Sequence, residues 1–146
     1  MLTISPMQES DYQSVESFLK MLGRTERRNG CNIIMVAKDR EEILGVGVMT
    51  LAEQYGFIED IIVKPEYESM QLDYGMGKAM LNFIDRREIM DVYAGASSEN
   101  VNFKKTLERL GFVEQENKDR LPLVCGSDDA FYLNLEDYFT SHCGAK

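Results

Sequence analysis

Two glycines one residue apart, Gly75 and Gly77, stand at the start of a segment that otherwise has the pattern of a helix. The segment before them, "YGFIEDIIVKP", reads as an apolar strand that ends at Pro65, because proline cannot continue a central strand. After them, apolar residues fall on one face at helical spacing: Met76, Met80, Phe83 and Ile84. A strand followed by an amphipathic helix is typical of a layered protein that contains both helices and a sheet.

The rest of the chain extends this pattern. "LTISPM", "CNIIMVAKD", "EEILGVGVMTLAE" and "MDVYAGA" read as strands, and "FVEQEN" and "AFYLNLEDYF" read as two closing strands. Two further helices surround Val15 and "VNFKKTLERL". The predicted order is β-α-β-β-β-α-β-α-β-β, an α/β (α+β) fold with a mixed, mostly antiparallel sheet flanked by helices. Since 146 residues is the usual length of one domain, we expect residues 1–146 to form a single one.

Cysteine and histidine content excludes several kinds of site. The three cysteines, Cys31, Cys125 and Cys143, show no Cys-x-x-Cys spacing, which argues against a disulfide framework and a zinc site. His142 is the only histidine, so a histidine-based metal centre and a Ser-His-Asp triad are both excluded. We therefore predict no metal.

The net charge and the hydropathy of the chain limit the kinds of molecule that the protein is expected to bind. A net charge of −9 disfavours nucleic acid and anionic membranes, and it suits a small cationic substrate. The N-terminal segment has no signal-peptide pattern, and no apolar run is long enough to span a bilayer. We expect a cytoplasmic protein. The oligomeric state stays open, with a homodimer as one form under consideration.

The paired glycines admit several interpretations. A Walker loop is excluded, because Leu72 and Ala79 occupy positions that need glycine and Ser or Thr. The dinucleotide fingerprint lacks its third glycine, since Met80 stands there. Two interpretations remain. The glycines either expose a helix N-terminus to an anion, with Lys78 as an added cation, or they allow close helix–sheet packing.

A set of motifs in this chain resembles the GNAT superfamily of acetyl-CoA-dependent N-acetyltransferases. The motifs are the strand "IEDIIV", Pro65, the helix start Gly75-x-Gly77-Lys78-Ala79, Asn100 and "LERLGF". The resemblance implies that the fourth strand diverges from the fifth and that pantetheine lies in the gap. It further implies that the following loop and helix start hold the pyrophosphate. The cofactor-binding residues implied in this way are Ile61, Ile62, Val63, Gln71, Asp73, Tyr74, Gly75, Met76, Gly77, Lys78 and Asn100.

The chain departs from the pattern of the family at two positions. The family carries Arg or Gln three residues before the first glycine, where this chain has Leu72, and Gln71 lies one position away. Many members carry a tyrosine, the general acid for the departing thiolate, four residues before the glycine of "Leu-Gly-Phe". Leu107 holds that position and cannot donate a proton.

Acetyl transfer to an amine needs a base that removes a proton from the ammonium group. Carboxylates inside an apolar strand are costly to bury without partners, so Glu59 and Asp60 are the first candidates, followed by Glu53. Strand alternation predicts that Glu59 and Asp60 point to opposite faces of the sheet. For the acid, Tyr93, Tyr74 and Cys125 are candidates.

The sequence thus predicts an acetyl-CoA-dependent N-acetyltransferase that acts on a primary amine of a small molecule or peptide by direct attack. Acetyl-CoA is the cosubstrate. A coenzyme-A-binding module that has lost catalysis is the alternative, for which Leu107 is the main evidence. A protein-interaction domain without a cofactor is the third possibility.

Overall fold

A computed structural model describes residues 1–23, 32–116 and 129–139. Cys31, Cys125, His142 and Cys143, on which part of the sequence argument depends, lie outside the described residues. None of the described helices has the length and apolar character needed to cross a membrane.

Three helices and seven strands make up the described structure. The strands are β1 (Leu2–Pro6), β2 (Asn32–Asp39), β3 (Glu42–Leu51), β4 (Tyr55–Val63), β5 (Asp91–Ala96), β6 (Val113–Gln115) and β7 (Asp129–Asn134). The helices are α1 (Tyr12–Met21), α2 (Leu72–Asp85) and α3 (Val101–Leu110). Short 3-10 turns at Glu9–Asp11 and Pro65–Met70 precede α1 and α2. The predicted order of helices and strands is confirmed.

All seven strands form one sheet in the order β1-β2-β3-β4-β5-β7-β6. Neighbouring strands are antiparallel except for β4 and β5, which are parallel. That parallel pairing covers only Tyr55–Ile58 of β4 and Asp91–Ala94 of β5. Beyond it, Ile61–Val63 pair with β3 on one side, and the described strands form no ladder with them on the other. The fourth and fifth strands therefore diverge, as the sequence predicted.

The helices cover the two faces of the sheet, so that the core has two main layers. Helix α1 packs Val15, Phe18 and Leu19 against Val46 and other residues of β2–β4. Helices α2 and α3 cover the opposite face with a larger cluster that includes Met76, Met80, Leu81, Ile84 and Leu110. We refer to these as the α1 face and the α2 face.

Close approach of α2 to the sheet explains two glycines in β3. A Cβ on Gly45 would lie 2.7 Å from Met76 Sδ, and one on Gly47 would lie 2.5 Å from Met80 Sδ. Both distances are below van der Waals contact, so an added Cβ at either position would force the methionine above it to move.

An irregularity in β4 places both of its acids on the α1 face. The register with β3 shifts between Val48 and Met49, so that Asp60 pairs with Val48 and Ile58 with Met49. Ile58 and Ile61, three residues apart, consequently both pack in the α2-face cluster, which regular alternation would forbid. Asp60 shares the side of Val48, which packs against the α1-face cluster. The prediction that Glu59 and Asp60 point to opposite faces is wrong, because the bulge breaks the alternation between them.

Candidate active site

A groove of about 230 Å³ lies where β4 diverges from β5. Its walls come from the last residues of β4, the residues around the start of α2, and one side of α3 along most of its length. The lining residues are Ile61, Ile62, Val63, Glu68, Asp73, Asn100, Asn102, Phe103, Lys105, Thr106 and Arg109. Five of the predicted cofactor-binding residues are therefore brought together: the three β4 residues, Asp73 and Asn100.

Helix α2 presents its N-terminus beside this groove. Gln71 precedes the helix in the left-handed conformation, with φ of 60°, and its carbonyl accepts a hydrogen bond of 3.1 Å from the Gly75 N–H. The N–H groups of the first three helical residues, Leu72 to Tyr74, have no carbonyl within the helix to bond to. Such N–H groups and the helix dipole favour an anion at this end.

Asn100 fixes the start of the second helix beside the groove. Its side-chain oxygen accepts a hydrogen bond of 3.3 Å from the Phe103 N–H and so caps α3. Gly111, with φ of 109°, ends the same helix in the conformation that glycine adopts at no steric cost. The two ends of α3 are thus determined locally, and its polar side faces the groove.

Asp73 brings negative charge to the groove. Its Oδ2 lies 2.5 Å from Thr106 Oγ1, which joins the first turn of α2 to α3. Its Oδ1 is buried and has no hydrogen-bond partner among the described residues. A buried carboxylate oxygen without a partner is costly, so this end of the groove would gain from a bound hydrogen-bond donor.

Arg109 brings positive charge to the same end. Its Nη2 donates a hydrogen bond of 2.7 Å to Gln71 Oε1, and its guanidinium lies 5.1 Å from the ring centre of Tyr74. Sequence reasoning missed Arg109 and Thr106. The signal that could have found them is the helical spacing of Asn102, Thr106 and Arg109, which puts the three polar side chains on one face of α3.

Lys78, the cation expected for an anion at the helix start, contacts aromatic rings instead. Its Nζ lies 4.5 Å from the ring centre of Tyr138, 5.5 Å from that of Phe139 and 5.9 Å from that of Tyr74. It also donates to the Tyr138 hydroxyl at 3.4 Å. Cation–π contacts of this kind hold residues 138–139 against α2. Lys78 is absent from the groove lining, where Arg109 supplies the guanidinium.

Tyr138 gives this contact a measurable pH dependence. Burial, with a smaller contribution from Tyr74, raises the pKa of Tyr138 from 10.0 to about 12. Its hydroxyl donates a hydrogen bond of 2.7 Å to the Leu110 carbonyl, so the folded state favours the protonated phenol. Because the folded pKa is raised, this stabilisation is complete below pH 10 and is lost as the pH rises towards 12.

We therefore expect the Tyr138→Phe variant to lose less stability than the parent between pH 10 and pH 12. The measurement is urea unfolding at several pH values across this range, with Tyr67→Phe as the control for general alkaline effects. Parallel stability curves for the parent and the Tyr138 variant would contradict the expectation.

Glu59 lies where β4 begins to diverge from β5, directly after Ile58, the last residue of β4 that pairs with β5. Its Oε2 accepts a hydrogen bond of 2.9 Å from Thr50 Oγ1. The next residue, Asp60, accepts a hydrogen bond of 2.9 Å from the Ile61 N–H. Both carboxylates are partly exposed. A partly exposed carboxylate held at this point can accept a proton from a group that enters from the α1 face.

Tyr93 lies on the same face as Glu59, in a row of aromatic rings. Its ring centre is 5.8 Å from that of Tyr55 and 5.2 Å from that of Tyr132, so the row crosses β4, β5 and β7. Phe57 packs in the same cluster. The structure thus places the predicted base and one predicted acid on one face of the sheet.

Solved structures of acetyltransferases share this architecture. A GNAT-family acetyltransferase from Staphylococcus aureus Mu50 superposes with a TM-score of 0.76 at 14% identity, over 93% of this chain and 100% of that chain. A mutant spermidine N-acetyltransferase from Vibrio cholerae gives 0.74 at 13% identity, over 97% and 98%. The Escherichia coli ribosomal-protein-S18-alanine N-acetyltransferase gives 0.67 at 15% identity, over 92% and 94%. The chain has the GNAT fold.

Comparison of the amino-acid sequence alone does not identify this fold. No protein-family model matches the chain, and no curated protein matches it. The GNAT fold, which the resemblance of a few motifs implied, is nevertheless confirmed by the structural superpositions.

Several positions that the GNAT resemblance singles out are buried. Met76 is fully buried and directs its side chain at β3. Leu72, where the GNAT motif has Arg or Gln, is 6% exposed, and Leu107, where many members have tyrosine, is 0% exposed. A tyrosine at Leu107 would overpack the core at a cost of about 1–3 kcal/mol. Leu107 here packs in the hydrophobic core.

The two GNAT glycines have different surroundings. A Cβ on Gly77 would lie 2.4 Å from Leu110 Cδ1, so this glycine lets α2 and α3 pack closely. A Cβ on Gly75 would meet no atom within 4 Å. The packing interpretation therefore accounts for Gly77, and the anion-site interpretation stays a prediction that concerns the helix start. Among the described residues, no group of three or more His, Cys, Asp or Glu could hold a metal ion.

Proposed function

We propose that this protein is an N-acetyltransferase that moves an acetyl group from acetyl-CoA to a primary amine by direct attack. The observation that carries the proposal is the juxtaposition of three features: the divergence of β4 from β5, the N-terminus of α2, and Glu59 at the mouth of the gap. The likeness to solved N-acetyltransferases of the same fold supports it.

Several residues of the groove fit coenzyme A. The main chain of Ile61–Val63 forms no ladder with β5, so pantetheine could form hydrogen bonds with it in the way that an added strand would. The N–H groups of Leu72–Tyr74 and the Arg109 guanidinium would hold the pyrophosphate, and Asn100 lies in the same lining. Gly75 keeps the helix start free of a side chain, and Gln71 orients Arg109. The buried Asp73 Oδ1 would accept a donor.

Glu59 would act as the general base. Thr50 holds its carboxylate by a hydrogen bond, and the partial exposure of Glu59 allows a proton to arrive directly or through water. Asp60, on the same face, is the second candidate. Acetyl-CoA supplies an activated thioester, whose oxygen would be stabilised by a main-chain N–H of β4 near Ile62. The thiol of coenzyme A leaves readily, since an ordinary thiol has a pKa of about 8.5.

A coenzyme-A-binding module without catalysis is the second candidate function. Leu107 favours it, because this fully buried leucine stands where many related enzymes have a proton donor. In the enzyme, Tyr93 on the α1 face would be the proton donor instead, held by its ring contacts with Tyr55 and Tyr132. Release of free thiol from acetyl-CoA, measured with a panel of amines, separates the two functions. Thiol release with any amine supports the enzyme, whereas cofactor binding without release supports the module.

Calorimetric titration with acetyl-CoA tests the proposed groove, and Arg109 gives it a specific prediction. Charge-assisted hydrogen bonds contribute about 1.5–3 kcal/mol, so Arg109→Gln should weaken coenzyme A binding about 10- to 100-fold. Pantetheine, which lacks phosphates, should bind the parent and the variant equally. Arg87→Gln serves as the control, since this arginine stacks on Phe83 at the other end of α2. Unchanged affinity in the Arg109 variant would exclude its phosphate contact.

A further inference from the structure

The α1 face beside Glu59 combines aromatic rings with negative charge. Tyr55, Tyr93 and Tyr132 form a continuous row of partly exposed rings across three strands. Along the strands, Glu59 lies two residues beyond Phe57, the register partner of Tyr93, and Asp91 lies two residues before Tyr93. The two carboxylates therefore lie on either side of the pair Tyr93 and Tyr132. The strands β4, β5 and β7, which carry the row, contain no lysine or arginine. This face therefore attracts cations and supplies no cationic side chain of its own from those strands.

Asp91 is held in a defined orientation. Its Oδ1 accepts a hydrogen bond of 2.5 Å from the Tyr132 hydroxyl and one of 3.2 Å from Asn134 Nδ2. Among the described residues, no hydrogen bond is made to its Oδ2. Burial and the bond to Asp91 raise the pKa of Tyr132, so the phenol stays a neutral donor. The orientation of Asp91 is thus fixed through one oxygen, and the other is available to a ligand.

The separation of Glu59 and Asp91 sets the length of a ligand that reaches both. Tyr55, the register partner of Asp91, precedes Glu59 by four residues, which is about 13 Å along a strand. An amine beside Glu59 therefore reaches Asp91 only if it is long and extended. The aromatic rings between the two carboxylates suit a methylene chain and an ammonium group, because ring faces attract cations and bury apolar surface.

We infer that the acceptor is a linear diamine or polyamine. Its reacting amine lies beside Glu59, and a second ammonium group lies at Asp91 over the tyrosine row. This inference rests on the proposed function, since it assigns the acceptor of the same site. It accounts for the acidic residues on either side of Tyr93 and Tyr132 and for the absence of basic residues from the strands that carry the row.

The test compares two amines that share a seven-carbon chain and differ by one terminal ammonium group, 1,7-diaminoheptane and heptylamine. Calorimetry measures their binding to the protein saturated with coenzyme A. We expect the diamine to bind about five- to tenfold tighter, and this difference to narrow as salt is raised. Asp91→Asn, which keeps an acceptor for the Tyr132 hydroxyl, should abolish the difference. Glu114→Gln should preserve it, because Glu114 pairs with Phe131 and so lies on the opposite face of the sheet.

Equal affinities for the two amines would overturn the inference, and so would a preference that persists in the Asp91 variant. Tighter binding of an amino sugar or of a peptide N-terminus than of diaminoheptane would assign the acceptor to that class instead. The preceding titration with coenzyme A alone keeps the two proposals separate. If coenzyme A does not bind, the proposed function is wrong. The two amines are then titrated into the protein without coenzyme A, and the same difference in affinity tests the amine site by itself.

Discussion

Replacing Gly77 with aspartate should lower the free energy of unfolding by at least about 3 kcal/mol, through overpacking and the burial of a charge. The added Cβ would lie 2.4 Å from Leu110 Cδ1, and Leu110 is itself only 1% exposed, so the clash cannot be relieved into solvent. Urea unfolding followed by circular dichroism measures the change.

Gly75→Asp is the matched control. It makes the same change in the same helix, but no atom lies within 4 Å of the added Cβ, and a carboxylate near a helix N-terminus is favourable. We expect its stability to stay close to that of the parent. A rescue experiment completes the test: Leu110→Val should be less destabilising when Gly77 is alanine than when it is glycine, because the shorter side chain makes room for the new methyl group. Equal stability losses at Gly75 and Gly77 would contradict the packing role.

Replacing Glu59 with glutamine should lower the rate of acetyl transfer about a hundredfold, the usual effect of losing a general base. Glutamine keeps an oxygen that can accept the bond from Thr50, so the fold and coenzyme A affinity should be retained. The deficit should shrink as the pH rises, because more of the amine is then already deprotonated. The measurement is initial-rate thiol release with an identified amine across a pH series.

Asp60→Asn is the control for this experiment. It removes a carboxylate from the neighbouring position on the same face and should change the rate less than Glu59→Gln does. A larger effect at Asp60 would transfer the role of base to that residue. An unaltered rate in both variants at neutral pH would leave solvent as the proton acceptor.

Local sequence patterns were sufficient for the order of the helices and strands. The end of β4 before Pro65 and the apolar face of α2 that carries Met76, Met80 and Ile84 each depend on residues close together in the sequence, and each was predicted correctly. The divergence of β4 from β5 followed from the family resemblance, since no local pattern indicates where a parallel pairing ends.

The features that the sequence did not reveal depend on residues far apart in the chain. Gly77 is explained by Leu110, which is 33 residues away, and Lys78 contacts Tyr138, which is 60 residues away. The face of the sheet to which Glu59 and Asp60 point depends on the register between β3 and β4. A bulge shifts that register, and nothing in the sequence of β4 indicates the bulge. Arg109 was missed because the family motif directs attention to the helix that follows β4.

The short parallel pairing has a mechanical consequence. Strands β1–β4 and β5–β7 form two parts of the sheet, and the ladder between them spans only four residues of each strand, Tyr55–Ile58 and Asp91–Ala94. Under a force that pulls these two parts apart, we expect the hydrogen bonds of the β4–β5 ladder to break before those of the longer ladders within each part. A molecule that bonds both to β4 and to α3 across the gap would add links between the two parts, so tightness of binding and resistance to rupture would rise together.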